Sequence, residues 1–336
     1  KQKDYKCSNE KGNNIVYRVV DSPLDRLQEA IQEETGKMNL YEQVSKNKRN
    51  SYLLVFIFLI IILILGYLLG YIFATATFGI AIALIISLVM ILIGYYSGDR
   101  LILAMSNAKE ATKKDDPYLI NIVEGLAIGA GIPTPKVYMI QEDSMNAFAT
   151  GRDPKHASVA VTSGLRKNMK REEVEAVIAH ELSHVKNYDI RLMMMVTILV
   201  GIIALLSDFL LRSFLWAPRQ KNERGSGGIM IIVVLIGLAM AILAPLIAQL
   251  IKFAVSRQRE YLADADGSLL CRNPKALASA LRKIKNDKDK MVDTANKATA
   301  HLYIENPLRN LGGPINNLFS THPPIDERIK RLESMY

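Results

Sequence analysis

Cysteine is nearly missing from this chain. Only Cys7 and Cys271 occur, which excludes a disulfide framework and a paired-cysteine zinc site, and leaves both thiols expected free in a reducing compartment. Histidine is almost as scarce, with five residues in 336, so any pair at meaningful spacing is informative. The opening segment, 1–37, is polar and lacks the apolar core of a secretory signal. It reads as an extension ahead of Met38-Asn39-Leu40-Tyr41, which looks like a natural start leading into a short amphipathic helix. Leu24, Leu27 and Ile31 have helical spacing within 21–34, and no function attaches to them. An acidic surplus is also lacking. The formal charge is +9, but the cations flank apolar blocks: Lys46, Lys48 and Arg49 precede the first, Arg100 follows the second, and Lys252, Arg257 and Arg259 follow the fourth. That placement suits anionic lipid headgroups and argues against nucleic acid as the partner.

Apolar sequence is what the chain has in excess: 50% of its residues are hydrophobic, too many for an ordinary soluble enzyme of this length. They gather in four blocks, 52–73, 78–96, 192–211 and 229–253, each long enough to cross a bilayer as a helix. The third is the weakest, because Ser207 and Asp208 lie near its end. A single block could be a buried core helix; four in one chain point to a mainly α membrane protein with four transmembrane helices. Every long polar stretch then lies on one side of the membrane, and the short 74–77 and 212–228 loops lie on the other. The basic flanks put the large side in the cytoplasm. Arg212, Arg219, Lys221 and Arg224 in the 212–228 loop argue the other way, but the first helix pair carries more weight.

The chemistry concentrates at His180-Glu181-Leu182-Ser183-His184, in a stretch that reads as helix over 171–189. Residues four apart share a helix face, so both imidazoles can reach one metal ion, and the Glu181 carboxylate can meet a water on that ion. Val174, Val177 and Ile178 give the helix an apolar face, which separates it from a solvated helix carrying histidines by chance. Catalytic zinc takes three protein ligands and keeps one position open. Candidates for the third are His156, Glu260, Asp264, His301 and His322. Residues 256–266 continue helically from the fourth apolar block, and a hairpin of the third and fourth blocks returns that segment to the histidines. Glu260 and Asp264 share one face there. One carboxylate can bind metal while the other accepts the N–H of a ligating histidine; a charged helix end with Arg–Glu pairing is the plain alternative.

Taken in order, two apolar spans, His180-Glu181-Leu182-Ser183-His184, two more spans, Arg259-Glu260-Tyr261-Leu262-Ala263-Asp264 and Thr321-His322-Pro323-Pro324-Ile325-Asp326-Glu327-Arg328 resemble the HtpX-type membrane zinc metalloproteases, relatives of the CAAX prenyl endopeptidases. The resemblance covers roughly residues 38–335. It implies one Zn2+ per chain on His180, His184 and Glu260, with Glu181 as general base. It also points to His322 and Arg328 as donors near the reacting carbonyl. Met145-Asn146-Ala147-Phe148-Ala149-Thr150 resembles the family's edge strand, implying that Asn146, Ala147 and Phe148 hold an extended substrate peptide.

The expected architecture joins the four spans to a zincin-like α+β catalytic domain with a small β-sheet. The division is a cytoplasmic amino-terminal segment (1–51), the first two spans (52–97), the first part of the catalytic domain (98–190), the second two spans (191–254) and the remainder of the catalytic domain (255–336). Asp115-Asp116-Pro117 opens a helix over 118–130, strands follow at 136–140 and 158–162, and a helix covers 325–332. The function implied is a zinc endopeptidase of the inner membrane acting on damaged or misfolded membrane proteins, a quality-control and stress-response role. The alternatives are a CAAX-type prenyl-protein protease, disfavoured by having only four apolar blocks, and a non-catalytic scaffold with a structural zinc, disfavoured by Glu181.

Overall fold

The computed structural model describes residues 3–8, 14–19, 40–73, 75–215, 257–287, 299, 302–304 and 323–335. The 21–34 helical spacing, the fourth apolar block, His301 and His322 lie outside them. β1 (Lys3–Ser8) and β2 (Asn14–Val19) pair antiparallel in a sheet of their own.

Two long helices follow, α1 (Leu40–Phe73) and α2 (Ala76–Met105). They meet at a short break where the Thr75 hydroxyl accepts from Phe78 N–H at the α2 amino end. Both overrun the apolar blocks, α1 at its start and α2 at its end. Val44–Ile64 and Thr77–Met105 are long and apolar enough to cross a membrane. Phe56, Ile64, Phe78, Ile85 and Leu88 are more than half exposed while Leu54 and Phe58 are buried. A soluble core helix hides such side chains; here they form an outward apolar surface that lipid would cover. The third apolar block lies within another long helix, α6 (Asp189–Leu215).

Beside these helices sits a four-stranded sheet of β3 (Lys109–Glu110), β4 (Lys136–Ile140), β5 (Ala147–Gly151) and β6 (Ala157–Thr162), ordered β3-β4-β6-β5. β4 and β6 run parallel, and β3 and β5 are antiparallel to their neighbours. Side chains alternate across a strand, and the sheet uses this to divide two cores. Ala147, Ala149, Val159 and Val161 face one core. Phe148 and Ala160 face the other, which includes Phe58 of α1, Ile102 of α2 and Leu192 to Val200 of α6. The sheet is thus the layer between the helices of one core and the ends of the long helices α1, α2 and α6.

The first core holds α3 (Pro117–Ala130), α5 (Arg171–Lys186), α7 (Arg257–Cys271), α8 (Pro274–Lys285) and α9 (Ile325–Ser334); the short α4 (Ser163–Asn168) leads into α5. α3 starts where expected: Asp116 accepts Leu119 N–H at 3.0 Å with Pro117 in the first turn, and Gly131 (φ 69°) ends it. α5 is tied at its start by Glu173, which accepts from Lys170 N–H (2.7 Å), Ser279 Oγ (2.7 Å) and Lys283 Nζ (2.6 Å), joining it to α8.

One expectation is corrected. The helix read over 171–189 ends at Lys186, with Asn187 as its cap. Tyr188 has φ 61°, a left-handed conformation that a right-handed helix cannot carry forward. A new helix therefore begins at Asp189, and the break places Asp189 beside His184.

Candidate active site

The histidines reach a common point because they are one turn apart on α5, a helix buried on most of its circumference from Glu173 to Val185. Their rings meet edge to face, with centroids 4.9 Å apart. The facing helix is α7, on which Glu260, Asp264 and Gly267 share one side by their spacing of four and three. Gly267 lies against the backbone of His180, where a Cβ would come within 2.8 Å of the His180 nitrogen, so the two helices approach closely. Glu260 Oε2 then lies 3.7 Å from His180 Nε2, and Oε1 lies 3.6 Å from His184 Nε2. The ligand atoms of all three residues lie within 4.8 Å of one another. Ligands bonded tetrahedrally to zinc at about 2.0–2.1 Å stand about 3.4 Å apart, so the donor set and its spacing both fit such an ion.

Each histidine has a carboxylate behind it. His180 Nδ1 lies 3.0 Å from Asp264 Oδ1, close but off the line of a good hydrogen bond. His184 Nδ1 lies 3.1 Å from Asp189 Oδ2 within hydrogen-bonding geometry. Burial works against ionisation of Asp264, but Arg328 and His180 outweigh it and hold the carboxyl below its ordinary value. Burial likewise opposes protonation of His184, yet Asp189, Glu260 and Glu181 together raise the metal-free imidazole to about 9. Glu181 is pushed up, by burial first and by Glu260, while the two histidines and a hydrogen bond from Ala149 N–H pull it back. A carboxylate made more basic by burial beside two histidines is suited to proton transfer.

Arg328 is buried at 1% exposure. Its Nε and Nη2 grip Asp264 at 2.8 and 2.7 Å, Nη1 donates to the Ile304 carbonyl at 3.2 Å and lies 3.6 Å from Glu260, and Nη2 is 3.4 Å from His180 Nε2. The guanidinium therefore joins α9 to α7 at the rim of the histidine–glutamate cluster. Pro323 and Pro324 immediately precede α9.

β5 is the sheet edge nearest Glu181, as the strand resemblance implied, but it is buried along its length. Ile304 N–H donates to the Ala147 carbonyl at 3.1 Å, so a neighbouring stretch of backbone already meets the edge there. Asn146 Oδ1 accepts from Ala147 N–H at 3.1 Å, and the Asn146 backbone is tied to Thr162 by three hydrogen bonds. Phe148 packs edge to face on Tyr303 at 5.0 Å, on the core shared with α1, α2 and α6. His156 is exposed and bonded to Asp153 instead of joining the cluster.

Sequence reasoning missed Asp189, Asn47, Gly267 and Ile304. The acidic residue five positions past His184 was the one available signal; a helix without a break would have carried it to another face. Asn47 stood inside a basic flank and had no spacing to mark it.

Residues 113–336 match the model of peptidase family M48. The chain is 46% identical over 295 residues to a Protease HtpX homolog of Dictyoglomus thermophilum, covering 88% of this chain and 94% of that protein. A Protease HtpX homolog of Thermoanaerobacter pseudethanolicus is 46% identical over 305 residues, 89% of this chain and 99% of that protein. A solved structure, Ste24p of S. mikatae, aligns at a TM-score of 0.47 with 21% identity, over 81% of this chain and 62% of that one.

Proposed function

This chain belongs to peptidase family M48 and is a membrane metalloprotease; from that premise we propose that it is an endopeptidase holding one zinc ion on His180, His184 and Glu260. The observation that carries the proposal is the convergence of those three side chains, from α5 and α7, beside the buried carboxylate of Glu181. When bound, zinc supplies Lewis acidity to a water nucleophile and to the scissile carbonyl.

The chain's own residues do the rest. Glu181 takes the proton of the attacking water and later returns it to the leaving amine. Asp189 bonds His184 through Nδ1 and Asp264 stands beside His180 Nδ1, an arrangement that would leave both Nε2 atoms available to hold the ion. Arg328 steadies Asp264, and its Nη1, bonded to a peptide carbonyl, is suited to donate to the developing oxyanion together with His322. Substrate enters extended along β5 over the Asn146–Phe148 stretch, taking the place of the contact that Ile304 N–H makes with the Ala147 carbonyl. The substrates are damaged or misfolded membrane proteins, presented from the bilayer by four spans, two in 52–97 and two in 191–254. The catalytic parts, 98–190 and 255–336, face the cytoplasm, and the site lies in the inner membrane's cytoplasmic surface layer. The ends of α1 and α2 and the start of α6 all pack against the catalytic parts, which supports placing those parts together at one end of the long helices.

The test uses detergent-purified protein and a membrane-protein substrate, wild type beside Glu181→Gln, with metal quantified in both. Both should carry one zinc per chain, and the variant should lose cleavage by about 10²–10⁴-fold. Cleavage by Glu181→Gln near the wild-type rate would refute the role given to Glu181.

A further inference from the structure

The residue least expected at this site comes from the first membrane helix. Asn47 lies near the start of α1, in the run Lys46-Asn47-Lys48-Arg49 whose neighbours are exposed or half-exposed, yet it is itself 5% exposed. Its side-chain amide has two N–H donors, and both are used across 140 residues of sequence. One goes to the Asn187 carbonyl at 2.9 Å, the other to Asp189 Oδ1 at 2.7 Å.

Both acceptors exist because α5 stops at the left-handed Tyr188. A helix end leaves carbonyls without partners, and Asn47 supplies one for Asn187. The next helix opens with Asp189, whose two oxygens divide their work: Oδ2 faces His184 Nδ1 at 3.1 Å, and Oδ1 takes Asn47, with Arg259 Nε 3.5 Å away. The junction is pinned again by Lys48, whose ammonium stands 4.2 Å over the Tyr188 ring.

We propose that Asn47 is a positioning residue for the metal centre, holding Asp189 in the rotamer that orients His184 and so linking the placement of the first membrane helix to zinc affinity. This rests on the assignment of His184 as a zinc ligand. A carboxylate behind a ligand histidine fixes its ring only if the carboxylate is itself fixed. Without Asn47, Asp189 can rotate toward Arg259 and leave His184 Nδ1. The coupling runs through two hydrogen bonds and no chemistry, so it should appear in metal binding before it appears in any reaction.

The experiment compares full-length wild type, Asn47→Ala, Asn47→Leu and Ser51→Ala in detergent. Leu keeps the branched shape of Asn without its donors. Ser51 is a control one turn along α1; its hydroxyl donates to the Asn47 carbonyl, within the helix itself. Three readouts are taken: zinc Kd by chelator competition, the visible absorption of the cobalt-substituted protein, and thermal unfolding of the metal-free protein. Asn47→Ala and Asn47→Leu should each weaken zinc about tenfold and alter the cobalt spectrum, while Ser51→Ala matches wild type in both. Asn47 variants with lowered metal-free unfolding temperature but unchanged Kd and spectrum would overturn the proposal, leaving Asn47 a packing residue. If wild type itself bound neither metal, the zinc site and not Asn47 would be the failed assignment.

Discussion

Gly267→Ala tests whether the approach of α5 and α7 sets the metal site. A methyl built at Gly267 lies 2.8 Å from the His180 nitrogen, 2.9 Å from its Cα and 3.1 Å from the Ala179 carbonyl carbon. All three are backbone atoms of a buried helix, so no rotamer change relieves the clash. Ordinary contact begins at 3.4 Å, and the helices must separate by about 0.6 Å, where metal–ligand distances tolerate about 0.2 Å. Helix propensity alone would favour Ala by about 0.8–1 kcal/mol, whereas overpacking a filled site costs about 1–3 kcal/mol. The expected net is a loss of up to about 2 kcal/mol of metal-free stability, with zinc binding weakened at least tenfold, equivalent to about 1.4 kcal/mol. Thermal unfolding of the metal-free protein and chelator competition measure the two effects. Gly125→Ala is the control, since nothing lies within 4 Å of its added methyl; it should gain stability from propensity. Gly267→Ala that was likewise stabilised, with wild-type zinc affinity, would refute the close approach and the reasoning built on it.

Zinc binding should depend on pH in a definite direction. The metal-free His184 imidazole stands at about 9 because Asp189 and Glu260 outweigh burial, and a bound proton must leave before zinc coordinates. Apparent zinc affinity should therefore rise about tenfold per pH unit from 6 to about 9 and level off above; an affinity flat between pH 6 and 8 contradicts the carboxylate pairing. Glu173 offers a stability test away from the metal. Burial opposes its ionisation, but Lys283, Lys170 N–H and Ser279 hold the carboxyl below its ordinary 4.5. A depressed folded pKa stabilises above the unfolded value and is lost as pH falls through the folded one. Glu173→Gln should thus cost about 1–2 kcal/mol at pH 7 with a gap to wild type that narrows below pH 4.5; an equal gap at pH 7 and pH 3, read from unfolding midpoints, would show that charge plays no part.

Much of the molecule could be read locally. The two long apolar helices, the α3 start at Asp116-Pro117, the β4 strand and the histidine pair all rest on interactions within a few residues, and each stood where its pattern put it. Two sequence expectations met tertiary geometry differently. The helix over 171–189 was interrupted at Tyr188, because burying Asp189 behind His184 and satisfying Asn187 from α1 favours a left-handed residue that no local preference announces. The β5 stretch was an edge strand, but helices cover its faces and Ile304 meets Ala147, contacts set by segments far along the chain.

What the residues determined unaided was the donor chemistry: imidazoles one turn apart with a carboxylate beside them, and a second helix with acids at the same spacing, since helical periodicity alone decides which side chains share a face. Only the tertiary structure decided how those faces meet and what stands behind them. Gly267 lets α7 lie against His180, Arg328 from α9 clamps Asp264, and Asn47 from a membrane helix pins Asp189. Such contacts depend on packing between distant segments, where a missing Cβ or one buried amide sets the distance, and no local spacing encodes them.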